Sequence, residues 1–162
     1  MNQWNQPDVP HKGWSCVAVH DNETAEHKCE MCGQEDIRYE HEMEHIEYPQ
    51  RLIVGCVCAE KMENDYVNPR QRETKLKNEI KRKQNFMKQT WRKTPKARIL
   101  RYKGKEIAIV SNKFYKKNYG IICGNKIYWT YNDKPILAKT VRDIAFEIFE
   151  KEYYLEKTKT NR

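Results

Sequence analysis

The sequence predicts an α+β protein built from three parts, and three observations support this prediction. Two close cysteine pairs flank a stretch with strand periodicity between Cys29 and Met62. A basic segment with helically spaced apolar residues follows, and the last part contains strand-like runs, turn signals and one amphipathic helix. We expect a zinc module over residues 14–66, a basic linking helix over residues 68–93, and a small antiparallel sheet with one packed helix over residues 96–155.

The cysteines of the first part have the spacing of zinc ligands. Cys29 and Cys32 form a C-x2-C pair followed by Gly33, and Cys56 and Cys58 form a C-x-C pair before a helix-like run. A knuckle, a hairpin and a cysteine pair at a helix start are the layout of a treble-clef-like module, in which four thiolates surround Zn²⁺. We predict a structural zinc ion held by Cys29, Cys32, Cys56 and Cys58. The alternative is a reduced cysteine cluster without metal.

Three histidines leave the ligand set open. His27 lies two residues before Cys29 and is placed to replace one thiolate. His41 and His45 share a face of the predicted strand, but residues four apart on a strand lie about 13 Å apart. The two therefore cannot both bind one zinc ion without a bend. The simpler interpretation of each is a polar residue packed on a half-buried strand.

The charge distribution predicts an anionic partner. The formal net charge is +8, with −9 over residues 20–65 and +12 over residues 70–103. Only Glu73 and Glu79 offer compensating charge within the predicted helix, so the cations repel one another unless phosphate is present. The alternative is a solvated basic face. The predicted contacts to nucleic acid are Arg70, Arg72, Lys75, Lys81, Arg82, Lys83, Arg92 and Lys93.

The carboxy-terminal part predicts four strands and a helix. Two hairpins are expected, one turning at Lys103-Gly104 and one at Gly124-Asn125. Thr140 and Asp143 approximate a capping box for a helix that runs to Leu155, and residues 157–162 are expected to fray. Tyrosines among the lysines of this sheet suit stacking with unpaired bases, although such side chains more often lie half-buried.

The cellular setting follows from cysteine usage and from hydropathy. The amino terminus lacks a basic start and an apolar run, and no window approaches 18 consecutive apolar residues. We therefore expect a cytoplasmic protein without a membrane partner, in a reducing compartment where close cysteine pairs bind metal rather than form disulfides.

The zinc module is similar in layout to HNH nucleases. The resemblance lies in C-x2-C-G, the following His and Pro, and the second cysteine pair with Lys61 nearby. It implies that His41 or His45 stands for the central, water-activating histidine. The downstream asparagine and the histidine after the second cysteine pair have no counterpart, because Cys58 is followed by Ala59-Glu60-Lys61. An HNH-like metal-dependent nuclease is the catalytic alternative.

A second resemblance covers residues 14–65. The run C-x2-CG…IRY-x-H-x-M-x-H-x2-YP…VGC-x-CA-x2-M resembles a family of small zinc-binding proteins of bacteria and phages. The resemblance implies a setting, namely mobile elements, phage–host conflict or nucleic-acid metabolism, and no activity.

Taken together, these features favour a non-enzymatic, zinc-stabilised accessory protein. We expect it to bind DNA, RNA or a nucleoprotein enzyme, and to modulate a phage-defence nuclease of the CRISPR type. The other alternative is a protein–protein adaptor without direct nucleic-acid contact. A homodimer is also compatible with the sequence.

Overall fold

The computed structural model describes residues 2–154 and confirms a mixed α+β fold with antiparallel sheets. Contacts divide the chain into two compact units, Met1–Lys81 and Arg82–Arg162, hereafter the first and second units. The division falls inside helix α2 (Asn68–Met87). The predicted helical residue Leu155 and the predicted tail, residues 157–162, lie outside the described residues.

The first unit is built on a three-stranded antiparallel sheet. It has the order β1 (Ser15–Asp21), β4 (Tyr39–His45), β5 (Tyr48–Val54), and β2 (His27–Lys28) pairs with β3 (Asp36–Ile37) beside it. The predicted period of two in β4 is present, since His41 and Met43 are buried while Glu42 and Glu44 lie on the other face of the strand. Helix α1 (Cys56–Glu63) follows β5 directly.

The hairpin between β4 and β5 turns earlier than expected. The proline in Tyr48-Pro49-Gln50 predicts a turn there, but these residues begin β5, and His45 pairs with Tyr48 across the two-residue turn Ile46-Glu47. The Glu47 N–H donates to His45 Nδ1 at 3.0 Å, which closes the turn. Pro49 is tolerated in β5 because β5 is an edge strand.

Helix α2 is shorter than the predicted span of residues 68–93. It ends at Met87, and Arg92–Lys93 form strand β6, which pairs with β7. Pro95 predicts a helix that stops at Thr94-Pro95, but the helix ends earlier because its last turn and the next residues join the core of the second unit. Phe86 and Trp91 meet there at a ring-centroid distance of 6.0 Å.

The second unit carries more strands than the four predicted. The order is β11 (Thr130–Tyr131), β12 (Lys134–Leu137), β9 (Asn118–Cys123), β8 (Lys105–Ser111), β7 (Ala97–Tyr102), β6, and β10 (Lys126–Tyr128) also pairs with β9. Both predicted hairpin turns are present. The sequence missed β12, whose Pro135 is an unusual strand residue.

Helix α3 (Val141–Phe149) covers the sheet of the second unit, and a short π-helical turn, Glu150–Tyr154, continues it. The predicted capping box is wrong, because the Thr140 side chain makes no capping bond and its hydroxyl donates to Leu137 O at 3.2 Å. The core forms around Phe86, whose ring also contacts Tyr102, Phe146 and Phe149 at centroid distances of 5.5 to 5.6 Å.

The substitution Phe86→Ala should lower the free energy of unfolding of the second unit by about 3 to 5 kcal/mol, because it leaves a cavity at a fully buried site. Phe114→Ala is the matched control, since Phe114 is 91% exposed and its loss should change stability by no more than about 0.5 kcal/mol. Urea denaturation followed by circular dichroism measures both. Equal effects of the two substitutions would contradict this core.

Candidate metal centres and a basic cleft

The first cysteine pair lies on a tight turn after β2. The Gly33 N–H donates to Cys29 O at 2.7 Å with Gly33 at φ +69°, a conformation that favours glycine. The Cys29 N–H donates to Glu35 O at 2.8 Å. These two bonds close the loop, so that residues 29–35 form a compact knuckle.

The second cysteine pair lies in the first turn of α1, where Gly55 is the N-cap. Residues two positions apart in a helix project about 200° apart around its axis, since each residue turns the helix by about 100°. Cys56 and Cys58 therefore face opposite sides of α1. One of them is directed away from the knuckle.

Cys29, Cys32, Glu35 and Cys58 form the first group, hereafter the knuckle group. Their ligand atoms all lie within 4.8 Å of one another, and this group could hold a metal ion. Three of the predicted cysteine ligands are thus together, with Glu35 as the fourth member and without Cys56. Glu35 was not predicted from the sequence, although its position three residues after Cys32 indicates that it could join the cluster.

Hydrogen bonds in the knuckle group favour a thiolate at Cys29. The Cys58 thiol and the backbone N–H groups of Cys32, Gly55 and Met31 donate to the Cys29 sulfur, which lowers the pKa of Cys29. The same bond, followed by burial, raises the pKa of Cys58, which favours the protonated thiol there. A metal ion would displace that proton, since thiolates are the ligating form.

The carboxylate of Glu35 is held close to the start of α1. Burial, and secondarily the Cys29 thiolate, raise its pKa. A Cβ atom at position 55 would lie 2.7 Å from Glu35 Oε2 and 2.8 Å from Ile37 Cγ2, so only glycine leaves room for this carboxylate. Gly55 is therefore required by close approach, not by its φ of −76°.

His41, Cys56 and Glu73 form a second group, hereafter the His41 group, which the sequence did not predict. Their ligand atoms also lie within 4.8 Å of one another. His41 comes from β4, Cys56 from the first turn of α1 and Glu73 from α2. His41 Nε2 lies 4.0 Å from Glu73 Oε2, and Lys77 Nζ lies 2.9 Å from the other carboxylate oxygen.

The His41 group holds a neutral imidazole and a neutral thiol. Burial, followed by the positive charge of Arg72, lowers the pKa of His41 to about 4. Burial and the negative charge of Glu73 raise the pKa of Cys56 to about 12. Activated cysteine nucleophiles have lowered pKa values, so Cys56 does not have the properties of one.

The remaining histidines lie in neither group. His27 is exposed, with Nδ1 2.5 Å from Glu40 Oε1, and His45 Nε2 lies 3.1 Å from Lys12 O. His20 Nε2 lies 3.6 Å from Glu42. The hypothesis of an HNH-like nuclease requires a histidine that activates water; His41 is fully buried, and His45 Nε2 contacts the backbone carbonyl of Lys12.

Four of the eight cations predicted to contact nucleic acid form ion pairs. Arg70 pairs with Glu60 and Arg72 with Glu63, both in α1, while Arg82 pairs with Glu150 and Lys83 with Asp143. The expectation that these cations lack compensation is wrong for these four, because their partners come from outside α2. The side chains of Arg92 and Lys93 are exposed on β6, and Lys75 and Lys81 are exposed on α2.

A basic cleft lies beside β6 in the second unit. It has a volume of about 270 Å³, with Trp91 in its wall, and we call it the Trp91 cleft. Its cations are Lys93, Arg98 and Arg142. A second cleft on the same segment adds Lys88, Arg92 and Arg101. The segment 88–101 therefore concentrates cations around an aromatic side chain.

No protein-family model, no curated protein and no solved structure matches the chain. Among residues 2–154, no helix has both the length and the apolar character needed to cross a membrane. The roles of the candidate site residues are therefore inferred from their geometry.

If Glu35 is a ligand, Glu35→Ala should weaken metal binding by at least about tenfold, since even residues that only orient ligands contribute about that much. Glu35→Cys should retain the metal, because it restores a four-ligand set. Asp36→Ala is the control, since Asp36 is exposed and pairs with Lys28. Competition with a chromophoric chelator measures the affinities. Unchanged affinity in Glu35→Ala would remove Glu35 from the ligand set.

Proposed function

We propose that the knuckle group holds a structural zinc ion in a treble-clef-like module. The supporting observation is the donor set: three sulfurs and one carboxylate at metal-binding distance, taken from a knuckle and a helix start. Soft thiolates favour Zn²⁺ over Mg²⁺ or Ca²⁺, and four protein ligands close the site to substrate. The ion links residues 29–35 to α1, so it stabilises the fold of the first unit.

Cys32→Ser should release this zinc and destabilise the first unit by several kcal/mol, because metal binding contributes folding free energy. Cys16→Ser is the control, since Cys16 is half-buried in the same unit and belongs to neither metal group. Metal analysis and thermal unfolding measure the effects. A Cys32→Ser protein with the wild-type zinc content and melting temperature would contradict the proposal.

We further propose that the protein is a non-enzymatic accessory protein that binds nucleic acid through the segment 88–101. The observation that supports this is the concentration of exposed cations around the Trp91 cleft, while four cations of the 68–93 segment are already paired. The described residues of the second unit, 82–154, carry 18 Lys and Arg against 6 Asp and Glu. Such a charge excess favours phosphate contacts, which give affinity without reading sequence.

The proposed interface lies further toward the carboxy terminus than the contacts predicted from the sequence. Arg92 and Lys93 stay in it, and Lys88 and Arg98 are added, together with Arg142 from α3. Arg101 lines the second cleft but is paired with Glu106, so it is a weaker candidate as well. Arg70, Arg72, Arg82 and Lys83 would have to break ion pairs before they could contact phosphate, which makes them weaker candidates. A nuclease of the CRISPR type as protein partner stays a prediction from the resemblance to bacterial and phage proteins.

The double variant Arg92→Glu, Lys93→Glu should weaken binding of a labelled 20-nucleotide oligomer and reduce the slope of log K against log salt by about two. The control is Lys134→Glu, Lys139→Glu, which changes the net charge equally at exposed positions of the same unit. Fluorescence anisotropy with single- and double-stranded DNA and RNA measures the affinities. Equal losses in the two variants would contradict a local interface, and absence of binding by the wild type would favour the adaptor function.

A further inference from the structure

We propose that the His41 group is a second zinc site, separate from the knuckle group and open at one coordination position. The metal would be bound by His41 Nε2, Cys56 Sγ and one oxygen of Glu73. This inference is independent of nucleic-acid binding and of the assignment of Glu35.

Three secondary-structure elements bring the ligands together. His41 faces the core from β4, directly opposite Val54 in β5, and the chain reaches Cys56 two residues later. Helix α2 adds Glu73. A tetrahedral zinc ion with bonds of roughly 2.0 to 2.3 Å separates its ligand atoms by roughly 3.3 to 3.8 Å. The observed distance of 4.0 Å from His41 Nε2 to Glu73 Oε2 needs only a small side-chain adjustment.

The imidazole of His41 gives independent support for a ligand. It is fully buried, and neither ring nitrogen has a hydrogen-bond partner among the described residues. Buried polar groups are normally satisfied, because an unsatisfied one has lost its water without replacement. A metal ion at Nε2, the nitrogen that faces Glu73, would satisfy the nitrogen directed into the group.

The charges and supporting contacts fit a divalent cation. Zn²⁺ with one thiolate, one carboxylate and a neutral imidazole has a formal charge of zero, which suits a largely buried site. Glu73 has one oxygen for the metal, because its other oxygen lies 2.9 Å from Lys77 Nζ. Such an outer contact orients a ligating carboxylate. Lys77 also lies over the Tyr39 ring, with Nζ 4.3 Å from the centroid, so its position is itself restrained.

The His41 group has three ligands where the knuckle group has four. Structural zinc sites are closed by four protein ligands, whereas three ligands leave a position for water or an exogenous anion. Cys56 and Glu73 are both partly exposed, which gives a small ligand access from their side. The site would therefore take up a water molecule or a small anion on its metal.

Metal content of the full-length chain tests this inference. The wild type, purified without chelator, should contain two zinc ions, and Cys56→Ser or Glu73→Gln should reduce the content to one. Glu73→Gln keeps the size of the side chain, so it guards against misfolding of the Cys56 variant. Cys16→Ser, the control, should retain two. With Co²⁺ as the only metal, the wild type should bind two ions, and Cys56→Ser should lose part of the sulfur-to-cobalt absorption.

Two results would overturn the second site. The first is a single zinc ion that Cys32→Ser removes while Cys56→Ser and Glu73→Gln both retain it. The second is a single zinc ion that Cys32→Ser and Cys56→Ser both remove, which would support the four-cysteine site predicted from the sequence.

Discussion

The first unit depends on how the chain passes from β5 into α1. Gly55 lets the Glu35 carboxylate approach the backbone, and the helix that begins at Cys56 rotates the next residues to different sides. Cys58 meets the knuckle while Cys56 meets His41 and Glu73. The two cysteines are only two positions apart in sequence, but the helical geometry of α1 directs them to different sides. That geometry cannot change without breaking backbone hydrogen bonds.

The second unit depends on Phe86 in a comparable way. The last turn of α2 delivers this ring to the centre of a core formed by the sheet and α3, where four aromatic side chains surround it. The polypeptide then turns at residues 88–91, and β6 adds to the sheet edge. Because the cations of this turn and edge are outside the core, the segment 88–101 presents them to solvent beside Trp91.

Local patterns predicted the fold class, the alternation in β4, the helix start at the second cysteine pair and both hairpins of the second unit. These features depend on residues close in sequence, so periodicity and turn chemistry suffice. The end of α2 was missed because tertiary packing of Phe86 and Trp91 outweighed the helical pattern, and β12 was missed because Pro135 is rare in strands. The ion pairs of Arg70 and Arg72 with glutamates of α1 could not be predicted either, because they depend on how α1 and α2 lie against each other.

The candidate site shows the same limit. The cysteine spacing predicted a metal-binding cluster and the knuckle. The division of Cys56 and Cys58 between two groups could not be predicted, because it depends on the direction of each side chain around α1. Glu35 and Glu73 look like ordinary surface glutamates in the sequence, and their nearness to sulfur comes only from folding. His41 is the instructive residue, since its strand position predicted burial but nothing local indicated that both ring nitrogens would lack partners.

The three-stranded sheet of the first unit has consequences for self-association. Its two edge strands are β1, whose pairing with β4 shifts register between Cys16 and Ala18, and β5, which carries Pro49. A bulge bends the first edge, and a missing N–H interrupts the second, so neither edge offers an unbroken ladder to another strand. These edges should resist the strand-by-strand growth that leads to amyloid-like aggregates, so a dimer of this protein is not expected to form by extending this sheet.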